Sequence, residues 1–293
     1  MKTKLIFFGN EQLAQGIKAK TPILDALLAA DYEIAALILP TANTRRPFEI
    51  AKKAEKLNIP LFYTKNTAEL EQIIADAGAD VAVLASYGKI IPDSIINAFP
   101  CGIINVHPSL LPKYRGTTPI ETALLNGDAE TGVTVMRLAK KMDAGNIIAQ
   151  EKVAITPETT KQSLYEELAN LGAKLLVEKL PAILAQNAAE TAQDDAEATF
   201  TAQLSKDLSE LQNAQKSALT LSNEVRAYAG FPKSKTTLLG IPCTITKAHD
   251  ADQAATELDL LCADNRYLVI DELIPENSKP QSAQAFLNGH KKA

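Results

Sequence analysis

Lys4-Leu5-Ile6-Phe7-Phe8-Gly9-Asn10 opens the chain with an apolar run that halts at a glycine. A run of this length reads as a strand buried on both faces, and Gly9-Asn10 as the turn that delivers it into a helix. Leu13, Ile17, Leu24, Leu27 and Leu28 supply the helical period that follows. The alternation then repeats, with a strand over 34–39 stopped by Pro40, a helix over 48–57, a short strand over 61–63 and a helix over 67–77. Strands over 81–85 and 102–106 carry apolar residues on both alternating faces, as the middle of a parallel sheet with helices on each side requires. Two more strands, 133–138 and 147–153, precede a long helical period. It begins at Thr160, runs through Leu164, Leu168, Leu171, Leu175 and Leu176, and is kinked or ended by Pro181. Residues 1–185 therefore read as an α/β unit built on a doubly wound, mostly parallel sheet.

The pattern changes after that helix. Residues 186–203 are polar and acidic with no apolar period, and read as an acidic linker or a loosely held segment. Residues 204–293 carry a helix over 219–228 and short strands over 236–239, 243–247, 258–262 and 267–273, the spacing of a small β-barrel or half-open sheet. Two domains also suit the length of 293 residues, at roughly 150 residues each. Thirty Lys plus Arg against 35 Asp plus Glu leave a net charge of −5, which argues against gripping nucleic acid with the whole surface but leaves room for a local basic patch. Cys101, Cys243 and Cys262 stand far apart with no C-x-x-C pair, so neither a disulfide framework nor a zinc site is expected and a reducing compartment fits. The apolar runs are strand-sized, far below the roughly 18 residues of a membrane span, and the first ends too soon for a signal-peptide core. A cytoplasmic chain with no membrane partner is the expectation.

Chemistry concentrates in Asn105-Val106-His107-Pro108-Ser109-Leu110-Leu111-Pro112-Lys113-Tyr114-Arg115-Gly116. Side chains alternate along a strand, so Asn105 and His107 project to one side at the carboxyl end of a central strand, where open α/β sheets bind ligands. Pro108 and Pro112 stiffen the loop that follows. After the strand over 133–138 comes Met142-Asp143-Ala144-Gly145, which brings a carboxylate to the same edge, within reach of His107. The alternative is a plain turn in which Asp143 bonds its own backbone. An amide, an imidazole and a carboxylate at one crevice suit acyl transfer through a tetrahedral oxyanion, where one donor is worth about 10²- to 10³-fold in rate. A neighbouring carboxylate favours an imidazolium, and burial opposes it. Ser109 has no nucleophile elbow and Cys101 no activating partner, so the nucleophile is expected from a substrate. No G-x-G-x-x-G run supports a dinucleotide site.

The runs 105–116 and 142–145, together with Phe7-Phe8-Gly9-Asn10, resemble the 10-formyltetrahydrofolate-dependent formyltransferases over essentially the whole chain. Residues 221–232 (LSNEVRAYAGFP), 238–248 (LLGIPCTITKA) and 286–289 (FLNG) resemble those members that formylate methionyl-tRNA. The resemblance implies a formyltransferase-type Rossmann-like domain followed by an OB-like barrel. It implies Asn105, His107 and Asp143 as the catalytic trio. It assigns Ser109, Leu110, Leu111 and Pro112, with Ser86, Tyr87, Gly88 and Ile90 in the run 86–92, to folate binding. The implied reaction carries a formyl group from 10-formyltetrahydrofolate to the free amine of initiator methionyl-tRNA, without a metal, in translation initiation by a monomer. The Arg-containing loop after the second strand is short here, residues 40–47. Arg45 and Arg46 keep charge for tRNA, and Arg226, Lys233 and Lys235, with Lys247, Arg266 and Lys279, are candidates for a basic track. The N-terminal motifs fit equally a relative acting on a small amine, such as glycinamide ribonucleotide or an amino sugar nucleotide. Only the C-terminal region favours tRNA.

Overall fold

The computed structural model describes residues 2–40, 48–64 and 66–290. Strands β1 (Lys4–Phe8), β2 (Glu33–Leu39), β3 (Leu61–Tyr63), β4 (Val81–Leu84) and β5 (Ile103–His107) pair in parallel. Antiparallel β6 (Glu130–Arg137) and β7 (Ile147–Ala154) complete a sheet of order β3-β2-β1-β4-β5-β6-β7. Strand order reverses between β1 and β4, and the carboxyl ends there are where doubly wound sheets place ligands. Helices α1 (Pro22–Ala29), α2 (Glu49–Lys56), α5 (Pro119–Asn126) and α6 (Lys161–Leu184) cover one face. α3 (Thr67–Ala77) and α4 (Asp93–Ile96) cover the other.

Alternate residues of β1 divide between these faces: Leu5 and Phe7 pack with α1, α2, α5 and α6, while Ile6 and Phe8 pack with α3 and α4. Burial on both faces makes the run apolar throughout, at roughly 1.5–3 kcal/mol for each large side chain buried. β5 obeys the same alternation. Ile104 and Val106 join the first cluster and Ile103 the second, so Asn105 and His107 emerge on the side of α3 and α4.

The second half holds α7 (Ala218–Ala227), β8 (Ser234–Leu238), β9 (Ile241–Ala251), β10 (Leu260–Leu261), β11 (Tyr267–Pro275), β12 (Gln281–Ser282) and α8 (Ala283–His290). The sheet runs β10-β11-β9-β8 with β12 on β11, all antiparallel, and register shifts around Glu272 curl it into a half-open barrel. Leu221, Val225, Ile245, Leu268, Ile270 and Phe286 are buried between this sheet and its helices. The two halves are tied together. Arg226 donates to the carbonyl oxygens of Thr156 (2.9 Å), Pro157 and Thr159 (each 3.3 Å) ahead of α6, and buried Lys161 donates to Phe231 O at 3.2 Å. Among the described residues no helix is long and apolar enough to cross a membrane.

Four expectations need correction. Leu13 and Ile17 do not belong to a helix. The Glu11 carboxylate reaches twelve residues ahead to accept the N–H groups of Ile23 (2.8 Å) and Leu24 (2.9 Å), so α1 starts only at Pro22. Pro181 neither ends nor breaks α6, because Leu180 and Ile183 are fully buried and carry the last turn past it to Leu184. The strand over 258–262 shrinks to β10, since Asp259 turns inward to accept the N–H groups of Thr256 (2.7 Å) and Ile270 (3.0 Å). Most consequential, the segment 186–203 is not loosely held. Thr191 and Ile147 exchange two backbone hydrogen bonds of 2.8 Å, Glu190 accepts from Arg137 Nε at 2.8 Å, and Arg115 donates its backbone N–H to Thr199 O at 2.9 Å. The segment is a strap laced across the end of the first sheet. Its polar composition serves those bonds, so no apolar period marks it.

Candidate active site

Asn105 and His107 are each 5% exposed at the end of β5. Among the described residues the Asn105 carboxamide makes no hydrogen bond, which leaves two donors and one acceptor available. His107 Nε2 lies 3.0 Å from the carbonyl oxygen of Tyr114. That oxygen can only accept, so the neutral ring carries its hydrogen on Nε2 and its lone pair on Nδ1. Nδ1 in turn faces Asp143 Oδ2 at 3.8 Å, with both side chains largely buried. The ring nitrogen free to gain a proton is therefore the one opposite the carboxylate.

Two backbone segments set this geometry. Tyr114 sits at φ 61°, which turns its carbonyl back toward His107. Two residues on, the Gly116 N–H donates to Asp143 Oδ2 at 2.8 Å, so the Asp143 side chain bonds this loop. Asp143 itself has φ 49°, and Gly145 passes so close to β6 that a Cβ there would stand 1.8 Å from Arg137 O. The Asp143 loop is also anchored sideways, Lys140 pairing with Asp93 of α4 at 2.8 Å.

The loop 108–116 is braced from within. Ser109 is fully buried and donates its hydroxyl to Lys113 O at 2.7 Å. Thr134, paired with His107 across β5 and β6, donates to Ser109 O (2.6 Å) and accepts the Leu111 N–H (3.2 Å). Leu111 is 3% exposed, and Leu110 lies over Gly132. Ser109 and Leu111 therefore build the loop, leaving its backbone, Leu110 and Pro112 to face any ligand.

The run 86–92 follows β4, whose Leu84 is paired with Asn105, and so rises beside the site. Ser86 donates its hydroxyl to Gln12 O at 2.7 Å, fastening the turn after β1. Tyr87 is buried edge-on against Phe8, with ring centroids 5.4 Å apart, and burial pushes its hydroxyl above the ordinary range. Gly88 borders open space and Ile90 is 94% exposed. Of the four residues assigned here, these last two are the ones presented outward.

Of the basic residues, Lys233 and Lys235 are exposed at the start of β8. Arg226 is engaged by the carbonyls ahead of α6, and Arg266 pairs with Asp250 (2.6 Å) and Asp252 (2.9 Å). Arg45 and Arg46 lie outside the described residues. Cys101, Cys243 and Cys262 are free and buried. A cavity of about 560 Å³ opens beside Tyr114, walled by Phe200, Leu204, Leu208 and Tyr228.

Sequence reasoning missed the fully buried Arg115, the Tyr114 carbonyl, the Gly116 N–H and Gln193. The first three lie within the 105–116 motif itself, where no role was assigned to them. Gln193 sits in the featureless polar segment, where no signal singled it out.

The family described as formyl transferase matches residues 36–180. A methionyl-tRNA formyltransferase of Latilactobacillus sakei is 34% identical, the match covering 98% of this chain and 94% of that protein. The methionyl-tRNA formyltransferase of Enterococcus faecalis is 32% identical over 98% and 96% of the two chains. Among solved structures, WlaRD, a sugar 3N-formyl transferase crystallised with dTDP and 5-N-formyl-THF, superposes with a TM-score of 0.68 at 20% identity, covering 95% of this chain and 99% of that one. HypX from Aquifex aeolicus in complex with tetrahydrofolic acid gives 0.68 at 15% identity, over 98% of this chain and 47% of the longer HypX chain.

Proposed function

The chain belongs to the methionyl-tRNA formyltransferase family, and from that premise we infer how its site works. It transfers a formyl group from a folate-derived donor to methionyl-tRNA. We propose 10-formyltetrahydrofolate as the donor and the amine of initiator methionyl-tRNA as the acceptor. The observation that carries this reading is the Asn105 carboxamide, its donors free among the described residues, beside an imidazole whose open nitrogen faces a carboxylate at 3.8 Å. The residues around it suit a folate, since Gly88 leaves open space and Ile90 offers an apolar surface at the same sheet edge. When bound, the donor supplies the formyl carbon and the nitrogen that departs.

Asn105 donates from Nδ2 to the formyl oxygen as negative charge gathers there, an interaction stronger at the transition state than before it. His107 Nδ1 takes the proton that the attacking amine sheds and returns one to the departing nitrogen. Asp143 faces the imidazolium formed between those transfers. Tyr114 O and the Gly116 N–H keep ring and carboxylate in register. Leu110, Pro112 and the backbone of the loop 108–112 form the remaining wall for the donor.

For tRNA binding we propose phosphate interactions by Lys233 and Lys235, together with Arg45 and Arg46. Replacing both lysines by alanine should flatten the salt dependence of tRNA affinity by about one unit of slope for each phosphate interaction removed. A small-amine acceptor is not favoured, because the likeness to methionyl-tRNA formyltransferases runs through the C-terminal half. The deciding assay offers the purified chain 10-formyltetrahydrofolate with methionyl-tRNA or with glycinamide ribonucleotide. Formylation of the first alone is expected, and formylation of the second alone overturns the reading.

A further inference from the structure

We propose that Gln193, on the strap between the two halves, is a positioning residue that holds the Asp143 loop in its working conformation. The proposal rests on the catalytic reading above. Gln193 Nε2 lies 2.8 Å from Asp143 O and 2.7 Å from Gly145 O, so its two N–H groups clamp the turn on either side of Ala144. Its Oε1 accepts from Arg115 at Nε (3.1 Å) and at the second guanidinium nitrogen (2.8 Å). A guanidinium has no acceptor, so Arg115 fixes which end of the amide faces the loop. Arg115 is itself fully buried and held by Asp195 at 2.7 Å, and Asp195 also pairs with Lys141 of the same loop. Those two cations keep the Asp195 carboxyl below its ordinary range. Since the residue after Arg115 is Gly116, one buried side chain joins the clamp on the Asp143 main chain to the donor on its carboxylate.

A left-handed Asp143 and a carboxylate 3.8 Å from its imidazole depend on that clamp. Loss of it lets the carboxylate drift, and a displacement of about 1 Å is enough to cost on the order of 10²-fold. Gln193 touches neither folate nor tRNA on this view, so its removal lowers kcat and leaves KM alone.

The test measures kcat and KM with 10-formyltetrahydrofolate and methionyl-tRNA for the parent, Gln193→Ala, Gln193→Glu, Asp143→Asn and the Gln193→Ala/Asp143→Asn pair. Gln193→Glu keeps an oxygen for Arg115 but sets a second oxygen against two carbonyls, so it should fail as badly as alanine. Expected is a 10- to 100-fold fall in kcat for both Gln193 variants at unchanged KM, and little further fall when Gln193→Ala is added to Asp143→Asn. Equal falls in both backgrounds, or a change confined to KM, overturn the proposal. An inactive parent chain would instead sink the catalytic reading. Unfolding midpoints of each variant identify a collapse of the fold, and a variant that unfolds at the assay temperature is replaced by Gln193→Asn, whose shorter arm should restore part of kcat only if the clamp is real; no recovery counts against it.

Discussion

Replacing Asp143 by asparagine removes one negative charge at 3.8 Å from His107 Nδ1 and almost nothing else. The amide oxygen can still accept the Gly116 N–H, now at 2.8 Å, and Gln193 still grips the backbone. Two unit charges 3.8 Å apart attract by about 4 kcal/mol at an effective dielectric constant near 20, a value suited to side chains this enclosed. The attraction exists only while His107 is an imidazolium, so it lowers the barrier rather than tightening substrate binding. Lost entirely, it amounts to a fall of about 10³-fold in kcat. The assay is steady-state formylation of methionyl-tRNA, with KM for each substrate and a denaturant midpoint taken alongside. A fall below about tenfold, or one carried by KM, would refute the electrostatic role given to Asp143.

Two further predictions concern buried charge away from the site. Burial pushes the Glu11 carboxyl from 4.5 up to about 8, against the two backbone N–H groups it accepts. Between those values the folded chain holds a proton that the unfolded chain has released, so stability present below about pH 4.5 drains away as pH rises to about 8. Glu11→Gln should remove about 3 to 4 kcal/mol of that decline between about pH 5 and 8, read by urea unfolding at the two pH values; an unchanged decline counts against it. Lys161 and Glu121 face each other at 3.7 Å with almost no exposure, and among the described residues Glu121 Oε2 has no hydrogen-bond partner. Lys161→Met should therefore cost about 3–5 kcal/mol, most of it recovered by adding Glu121→Gln, whereas a fully stable single variant would show that the pair carries no such strain.

The sequence was legible where periodicity or a long motif carried the information. β1 and β3 fall where the apolar runs place them: β1 because a strand buried on both faces has no polar position to blur its end, and the half-buried edge strand β3 because Pro60 and Thr64 bound its short run. Asn105 and His107 share a face by the period of a strand alone, and the structure adds that this face is the one under α3 and α4. What stayed hidden depends on long-range hydrogen bonding. Glu11 caps a helix twelve residues away, which no local pattern announces. α5 begins at Pro119, straight after the motif, and is too short for its period to stand out. Gln193 and Asp195 lie 48 or more residues from their partners in the Asp143 loop and from Arg115, so a segment that reads as a linker turns out to hold the site together.

The most direct trial is a single-turnover measurement in which saturating chain, or its His107→Ala variant, is mixed with 10-formyltetrahydrofolate and a limiting amount of methionyl-tRNA. With His107 as the group that moves the proton, the variant should form formylmethionyl-tRNA about 10²- to 10⁴-fold more slowly than the parent while still binding both substrates. Formation at the parent's rate would contradict the assignment of formyl transfer to the end of β5.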